Sequence, residues 1–317
     1  MVISSRELIE HLLGSLFICD CPSEDTIVMM VKILDVVIGG LLMGGLYALI
    51  AVGLSLQYGV VRVLNIAHGE FIMLGAFVTW SLYIIFGINP LVSLAICGPI
   101  VSIIGFILYI TLFTRLRTSS PSPTAFEGNS MLACFGLLFI IQNVAILVWG
   151  ADVKGYSYLS YGVNLGGAIF AANRLVTLLV AVIIGAVFYL FLARTRLGKA
   201  IRAAAQDPAT AGFMGVNINQ VLALCFGFGA LMAGIGGSLI SICYPIQPTM
   251  GFQYTMIAII VIVLGGLGSI PGSFIGGLLL GLVGSIVTDI EPGLSLVAYY
   301  FIFMLLLLAK PKGILGK

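Results

Sequence analysis

The sequence predicts an all-α integral membrane protein, a polytopic bundle of about eight to ten transmembrane helices with a short cytoplasmic loop. Hydrophobic residues make up 61% of the 317 residues and charged residues only 8%, whereas soluble domains carry about a quarter charged residues. The mean hydropathy is +1.20. Because a bilayer admits only helices and closed barrels, the long continuous apolar runs of this chain indicate helices.

Nine segments are apolar enough to cross a bilayer, which takes roughly 20 residues per helix. The seventh and eighth are the least clearly separated, because glycine and proline divide them at GGLGSIPG. In chain order the predicted spans are 36–57, 68–87, 90–113, 130–149, 174–192, 219–243, 252–269, 272–289 and 293–309.

Basic residues predict the orientation of the bundle. When the spans alternate in direction, the 14 lysines and arginines divide unequally between the two sides. Cytoplasmic loops carry an excess of these residues, so the richer side is predicted to be cytoplasmic, with the C-terminus inside. That side holds Arg62, Arg115, Arg117, Arg194, Arg196, Lys199, Arg202, Lys310, Lys312 and Lys317, and the other side holds Arg6, Lys32, Lys154 and Arg174.

The chain is predicted to form a single transmembrane domain over residues 29–317. Residues 1–28 contain Glu7, Glu10 and His11, and no small-residue cleavage site follows them, which argues against a signal peptide. We predict that residues 1–28 are a weakly structured N-terminal extension. No soluble domain fits between the spans, whose longest polar connections are 114–129, 150–173 and 193–218.

Composition also excludes several function classes. No basic cluster is large enough to hold nucleic acid phosphates. The 6 cysteines and 2 histidines show no metal-ligand spacing. Neither a nucleic acid partner, nor a metal ion, nor a bound cofactor is therefore expected.

Glycines recur at intervals of four residues in two places. Gly40 and Gly44 do so in the first span, and Gly268, Gly272 and Gly276 do so near the last spans, followed by Gly277 and Gly281. Glycines at this spacing lie on one helix face and allow another backbone to approach closely. A second hypothesis is that GGLGSIPGSFIGG interrupts a helix within the membrane, where irregular backbone lines a cavity or is buried in protein. Both hypotheses stay open.

The polar segment 194–218 is too charged to span and too long for a simple connection. A short helix is predicted over 197–206, with a second one starting near Pro208 and capped by Asp207. Five alanines (Ala203, Ala204, Ala205, Ala209 and Ala211) predict a small flat surface, flanked by Arg196, Lys199 and Arg202. Such a surface suits docking against a partner chain.

Asn65, His68 and Glu70 are polar residues within a strongly apolar stretch, VLNIAHGEFIMLGAF. Asn65 is predicted to cap a helix that begins near Ile66, and Glu70 lies close enough in sequence to pair with Arg62. Three hypotheses compete. The residues form a structural helix start at the membrane boundary, or line a substrate path or gate, or act as an acid–base pair in catalysis.

Four motifs in order resemble the permeases of branched-chain amino-acid ABC transporters. GLYALIAVGLSLQYGVVRVLNIAHGEFIMLGAF (45–77) is similar to the N-terminal signature of that family, and RLGKAIRAAAQDPATAGFMGVN (196–217) resembles its cytoplasmic coupling loop. LGGLGSIPGSFIGGLLLG (264–281) and KPKGILG (310–316) look like its C-terminal signatures. The likeness runs from about residue 33 to the end of the chain.

The resemblance implies a permease subunit of a prokaryotic cell membrane with no enzymatic activity of its own. Two ATP-binding subunits would attach from the cytoplasm, a second permease, identical or related, would pair with it in the membrane, and an external binding protein would deliver the amino acid. The GK at 198–199 lacks the residues of a phosphate-binding loop, so ATP is expected on the partners. The contact with them would involve Arg196, Gly198, Arg202, Asp207 and Gly215.

Other functions remain open at this point. Permeases resembling this one also carry urea or short amides, so the cargo is not fixed by the resemblance. A passive channel or an ion-coupled carrier would have a similar composition and would work without an ATPase.

Overall fold

The computed structural model describes residues 24–165, 168–310 and 313–315. In these residues eight helices are long and apolar enough to cross a membrane, and a ninth apolar helix, Met250–Gly265, is shorter. The predicted polytopic all-α bundle is confirmed. Most of the predicted extension, including Cys19 and Cys21, lies outside the described residues.

Twelve α-helices and one hairpin make up the described chain. In order they are α1 Glu24–Leu56, α2 His68–Phe86, α3 Pro90–Leu108, α4 Thr114–Ser119, α5 Pro123–Trp149, β1 Gly162–Leu165, β2 Ala168–Ala171, α6 Ala172–Arg194, α7 Arg196–Gln206, α8 Pro208–Phe213, α9 Ile218–Cys243, α10 Met250–Gly265, α11 Ile270–Ile290 and α12 Ser295–Ala309.

Several boundaries differ from the sequence prediction. Helix α1 begins at Glu24, inside the segment predicted as an extension, and π-helical residues Gln57–Val61 prolong it. Helix α5 begins at Pro123, within the predicted polar connection 114–129, because Ser122 accepts a hydrogen bond from the Ala125 amide and caps it.

Helix α9 forms the centre of the bundle and packs against α1, α2 and α3. Its glycines allow the close approach. A Cβ at Gly234 would lie 2.9 Å from Val101 of α3, and one at Gly237 would contact the Ile72 carbonyl of α2. Because there is no strong hydrophobic force between helices in lipid, such backbone packing is a main source of cohesion.

The predicted glycine face of α11 contacts two helices, because Gly277 and Gly281 lie against α1 whereas Gly272 and Gly276 lie against α10. A Cβ at Gly44 would lie 2.8 Å from the Leu278 Cα, and one at Gly277 would lie 2.5 Å from the Ala48 Cα. Gly268 was wrongly placed on this face. It has φ +79° and lies in the turn between α10 and α11, beside Gly59. GGLGSIPG therefore interrupts the helical path between α10 and α11, and the break lies beside Gly59 in the π-helical end of α1.

The bundle has two chemically distinct ends. At the hairpin end, which carries β1 and β2, the Lys154 backbone pairs with Ile246 and its ammonium lies 4.8 Å from the centre of the Trp80 ring. The α7–α8 end carries those two helices and a cavity lined by Arg62 and Arg117 among others. Lys154 on one side and Arg62 and Arg117 on the other therefore lie at the ends of the bundle to which the sequence prediction assigned them.

Three tyrosines, Tyr156, Tyr158 and Tyr161, lie in the connection before the hairpin. The Tyr156 hydroxyl lies 2.9 Å from Ser241 Oγ of α9, and the Tyr158 hydroxyl donates to Asn89 Oδ1 at 2.9 Å. Tyr161 is exposed. Tyr156 and Tyr158 therefore attach the connection to α9 and to the N-cap residue of α3.

Candidate functional site

The connection between α1 and α2 turns the chain back into the bundle. Arg62 ends the π-helical segment with φ 60°, a left-handed conformation that is uncommon for a residue other than glycine. Arg62 itself is exposed, whereas Val63 and the residues from Asn65 to Glu70 are buried. Two polar side chains and one carboxyl group are thereby carried into an apolar interior.

Helix α2 starts inside the bundle. His68 Nε2 contacts the Ile50 carbonyl of α1 at 3.2 Å, and α1 runs on from there to Leu56 for roughly 9 Å at 1.5 Å per residue. In the other direction, Trp80 lies about 18 Å along α2 and contacts Lys154 at the hairpin end. The start of α2 is therefore near the middle of the bundle, which the substrate-path hypothesis requires.

Asn65 is not the N-cap of α2, a position that Ala67 occupies without a side-chain cap. Its Oδ1 accepts a hydrogen bond from the Ala67 amide at 3.1 Å, and its Nδ2 donates to Gln57 Oε1 at 3.2 Å. Gln57 Nε2 in turn donates to the Phe226 carbonyl of α9 at 3.0 Å. Asn65 thus ties the turn before α2 to α1 and α9.

His68 is fully buried, and it faces α1. Because the Ile50 carbonyl can only accept, His68 Nε2 is the donor in their contact, while Nδ1 is buried without a hydrogen-bond partner among the described residues. Gly53 lies beside the ring, since a Cβ there would be 3.3 Å from the His68 Cε1.

Glu70 is 1% exposed and faces a different helix from His68. Its carboxyl lies against Gly251 in the first turn of α10, where a Cβ would be 2.8 Å from Oε2. The predicted pairing with Arg62 is wrong, because among the described residues the salt bridge is that of Lys32 with Asp289. Since His68 and Glu70 point at α1 and α10 respectively, they do not form an acid–base pair.

Helices α2 and α10 meet backbone to backbone at their first turns. The Gly69 amide donates to Thr255 Oγ1 at 2.8 Å, and that hydroxyl donates to the Ile66 carbonyl at 3.0 Å. A Cβ at Gly69 would lie 2.5 Å from the Gly251 carbonyl carbon. Helix α10 has 16 residues, about 24 Å, and is too short to cross a hydrocarbon core of about 30 Å.

A second buried polar group lies nearer the hairpin end and was not predicted. Ser238 of α9 contacts Thr79 of α2 and lies 3.1 Å from Cys97 of α3. Ser241 donates to the Ser238 carbonyl at 2.7 Å and contacts Tyr156. Ser238 and Ser241 are three residues apart on one helix face, a spacing that was visible in the sequence.

The predicted helices of the polar loop are confirmed, and the loop is fastened to α6. Thr195 Oγ1 accepts from the Gly198 amide at 3.0 Å, and Arg202 donates to the Leu192 and Ala193 carbonyls. A Cβ at Gly198 would lie 2.6 Å from the Leu192 Cα. Gly198 and Arg202 therefore hold α7 against the end of α6.

Asp207 caps α8 as predicted. Its Oδ1 accepts from the amides of Ala209 at 2.9 Å and Thr210 at 3.3 Å, and Oδ2 accepts from the Thr210 hydroxyl. These bonds, first of all the one from the Thr210 hydroxyl, hold the pKa of the Asp207 carboxyl below its ordinary value. Gly215, with φ +87°, makes the turn that follows α8.

The exposed surface of the loop differs from the predicted alanine face. Ala204 and Ala211 are buried, whereas Ala203 and Ala209 are exposed. The tip instead presents Phe213 and Met214, exposed by 91% and 83%. Arg196 and Lys199 are also exposed, so the loop offers two bulky apolar side chains and free basic groups.

A cavity of about 350 Å³ separates this loop from the turn before α2. Arg62, Arg117, Glu127 and Pro208 are among its lining residues. The α7–α8 loop and the α1–α2 connection therefore border the same open space. In the part of the chain that the structure describes, no group of three or more His, Cys, Asp or Glu could hold a metal ion.

Comparison with known proteins identifies relatives along most of the chain. The sequence model of the family described as the permease component of branched-chain amino acid transport systems matches residues 36–309. No solved structure matches the chain.

Three relatives illustrate the range of similarity. The high-affinity branched-chain amino acid transport system permease protein BraD of Pseudomonas aeruginosa is 31% identical over 304 residues, 90% of this chain and 96% of BraD. The corresponding protein LivH of Escherichia coli K12 is 33% identical over 88% of this chain and 94% of its own. A probable branched-chain amino acid transport permease of Methanocaldococcus jannaschii is 25% identical over 79% of each chain.

Proposed function

The chain belongs to the branched-chain amino acid transport system permease family, and we propose that it lines the membrane pathway of an ATP-driven importer for branched-chain amino acids. It is a multi-pass membrane protein and the permease component of such an ABC transport system. The proposal rests on one structural observation above others. A two-helix loop, fixed at its base, projects from the end of the bundle that is rich in basic residues.

The partners follow from this role. A permease component of an ABC system works with ATP-binding and substrate-binding proteins. We assign two ATP-binding subunits to the α7–α8 end, an external binding protein to the hairpin end, and a second permease, identical or related, to a lateral face within the bilayer. The chain itself is then non-catalytic and holds no cofactor, because ATP is bound by the partners.

The orientation follows from the basic residues. Arg62, Arg117 and Arg202 lie at the α7–α8 end, and an excess of such residues marks the cytoplasmic side. This end, together with the C-terminus, is assigned to the cytoplasm of a prokaryotic cell with the chain in its inner membrane.

The loop can transmit force because its base is rigid and its tip is exposed. Gly198 and Arg202 attach α7 to the last turn of α6 by hydrogen bonds. Asp207 caps α8, and Gly215 forms the turn that follows it. The apolar tip and the exposed Arg196 then supply the contact with an ATP-binding subunit. When an ATP-binding subunit displaces Phe213 and Met214, the movement would be transmitted to α6 and α9 through the covalent chain and through packing contacts.

The second region assigned to transport is the turn before α2. Asn65, His68 and Glu70 carry polar groups to mid-depth between α1, α9 and α10. Because polar groups within a membrane bundle mark substrate paths or gates by default, we assign this turn to the path or its gate. Asn65 positions the turn, and His68 and Glu70 face the helices on either side of it.

Uptake by the reconstituted system tests the proposed function. The permease pair and the ATP-binding subunits are placed in proteoliposomes, and radiolabelled leucine is supplied outside with the binding protein. We expect uptake only when ATP is present on the side of the ATP-binding subunits. Equal uptake without ATP, or by this chain alone, would contradict the proposal and favour a channel or an ion-coupled carrier.

A further inference from the structure

The carboxyl group of Glu70 is the most unusual buried group in the described structure. It is 1% exposed, and its Oε2 has no hydrogen-bond partner among the described residues. Buried polar atoms in proteins are nearly always paired, and an unpaired acceptor within a membrane bundle carries a large free-energy cost. This carboxyl oxygen is available to accept a hydrogen bond from a ligand.

Two helix starts meet at this carboxyl. Glu70 itself lies in the first turn of α2, and its carboxyl lies against Gly251 in the first turn of α10. Neither Ala67 nor Thr249, the N-cap residues of the two helices, supplies a side-chain cap. The first amides of a helix lack intrahelical acceptors and attract negative groups, carboxylates above all.

When Glu70 is ionised, the charges of this arrangement nearly cancel. Each helix start is equivalent to about half a positive charge, so two of them balance one carboxylate. A free anion would upset this balance, and so would a free cation. A zwitterion brings one group of each sign and leaves the balance unchanged, provided that its two ends meet opposite partners.

We propose that Glu70 and the first turn of α10 form the site that binds the amino and carboxylate groups of the transported amino acid. The substrate carboxylate binds the first amides of α10, and the substrate ammonium bonds to Glu70 Oε2. The Glu70 carboxyl already lies against Gly251 of that turn, within reach of a ligand bound there. The inference rests on the proposed function and assigns the chemistry of its pathway.

Access to the site requires α2 and α10 to move apart. Gly69 and Gly251 are in backbone contact, with the Thr255 hydroxyl bonded across them. At the point of contact neither Gly69 nor Gly251 has a side chain, and the Glu70 carboxyl lies directly beside it. Separation of these turns therefore uncovers backbone amides and the carboxyl together, as recognition of a zwitterion requires.

Ligand-induced stabilisation tests the site on the assembled complex. Thermal unfolding of the purified permease–ATPase complex is measured without binding protein and with millimolar leucine, leucinamide or 4-methylpentanoate. Leucinamide lacks the carboxylate and 4-methylpentanoate lacks the ammonium group. We expect leucine alone to raise the melting temperature. No shift with leucine, or an equal shift with either analogue, would overturn the inference.

Substitution of the carboxyl group provides the second measurement. Glu70→Gln keeps the size of the side chain, and we expect it to remove the leucine-induced shift and to lower ATP-driven leucine uptake at least tenfold. Ser130→Ala is the matched control, since Ser130 Oγ is also buried without a partner but lies on α5. Its uptake and its leucine-induced shift should equal those of the wild type.

The two levels of the proposal fail in different ways. If the wild-type complex shows no ATP-dependent uptake, the proposed function is wrong. If the wild type transports leucine and Glu70→Gln transports it equally well, only the assignment of the site is wrong. Should Glu70→Gln fail to assemble, the comparison of the three ligands on the wild-type complex decides the question alone.

Discussion

Replacing Gly69 with alanine is expected to abolish ATP-driven uptake and to destabilise the bundle. The new Cβ would lie 2.5 Å from the Gly251 carbonyl carbon, whereas non-bonded carbons need about 3.5–4.0 Å. Backbone cannot rotate away as a side chain can, so α2 and α10 must move apart. Overpacking of this kind costs about 1–3 kcal/mol, and the bond from the Gly69 amide to Thr255 is lost in addition. Thermal unfolding in detergent and uptake in proteoliposomes measure the two effects.

Gly136→Ala provides the control for this substitution. Gly136 lies in the membrane helix α5, and a Cβ there would meet no atom of the described chain within 4 Å. The same chemical change should therefore leave the melting temperature and the uptake rate near their wild-type values. Normal stability and uptake of Gly69→Ala would show that the two first turns are not in contact.

Replacing Gln57 with leucine is expected to loosen the turn before α2. Gln57 joins this turn to α9, because it accepts from Asn65 Nδ2 and donates to the Phe226 carbonyl. Leucine has a similar size but makes neither bond, which leaves the buried Asn65 amide group without an acceptor. The cost is about 1–3 kcal/mol. A lower melting temperature in detergent and slower leucine uptake are the expected results.

Asn143→Leu is the matched control for Gln57→Leu. Asn143 is an amide in membrane helix α5, but it is exposed and, among the described residues, bonds to its own helix, at the Phe139 carbonyl 2.8 Å away. Its removal leaves no buried group unpaired. If both variants lost the same stability, the loss would come from removing any amide side chain from a membrane helix. The hydrogen bonds of Gln57 to Asn65 and Phe226 would then not be its cause.

Local patterns in the sequence were sufficient to predict most helices of this fold. Long apolar runs set the spans, and the polar loop with Asp207 before Pro208 predicted α7, α8 and their cap. These features depend on residues close together in the chain. The break at GGLGSIPG was also visible, because glycine and proline interrupt the apolar pattern there.

Features that depend on the three-dimensional path of the backbone could not be predicted in the same way. Asn65 is a favoured N-cap residue, yet its amide group bonds to Gln57 because α1 brings that residue beside it. Glu70 does not pair with Arg62, because Arg62 stays exposed at the end of the bundle while α2 starts at mid-depth. The short distance between Arg62 and Glu70 along the chain had instead predicted an ion pair.

The exposed tip of the loop was missed for a related reason. Alanines in 203–211 indicated a flat surface, but helix periodicity turns Ala204 and Ala211 inward. Phe213 and Met214 are large apolar residues of the kind that usually lie in a protein core. Here they precede the turn at Gly215 and are exposed. Large exposed apolar side chains of this kind often mark contact sites for other proteins.

Photo-crosslinking from the loop tests the proposed coupling most directly. A photoreactive phenylalanine analogue is placed at Phe213 in the assembled system, and in a control chain at Ile169 of the hairpin, which is 75% exposed at the opposite end. We expect position 213 to capture an ATP-binding subunit and position 169 to capture none. Failure of position 213 to capture it, or capture from position 169, would contradict transmission of ATP-driven motion through α7 and α8.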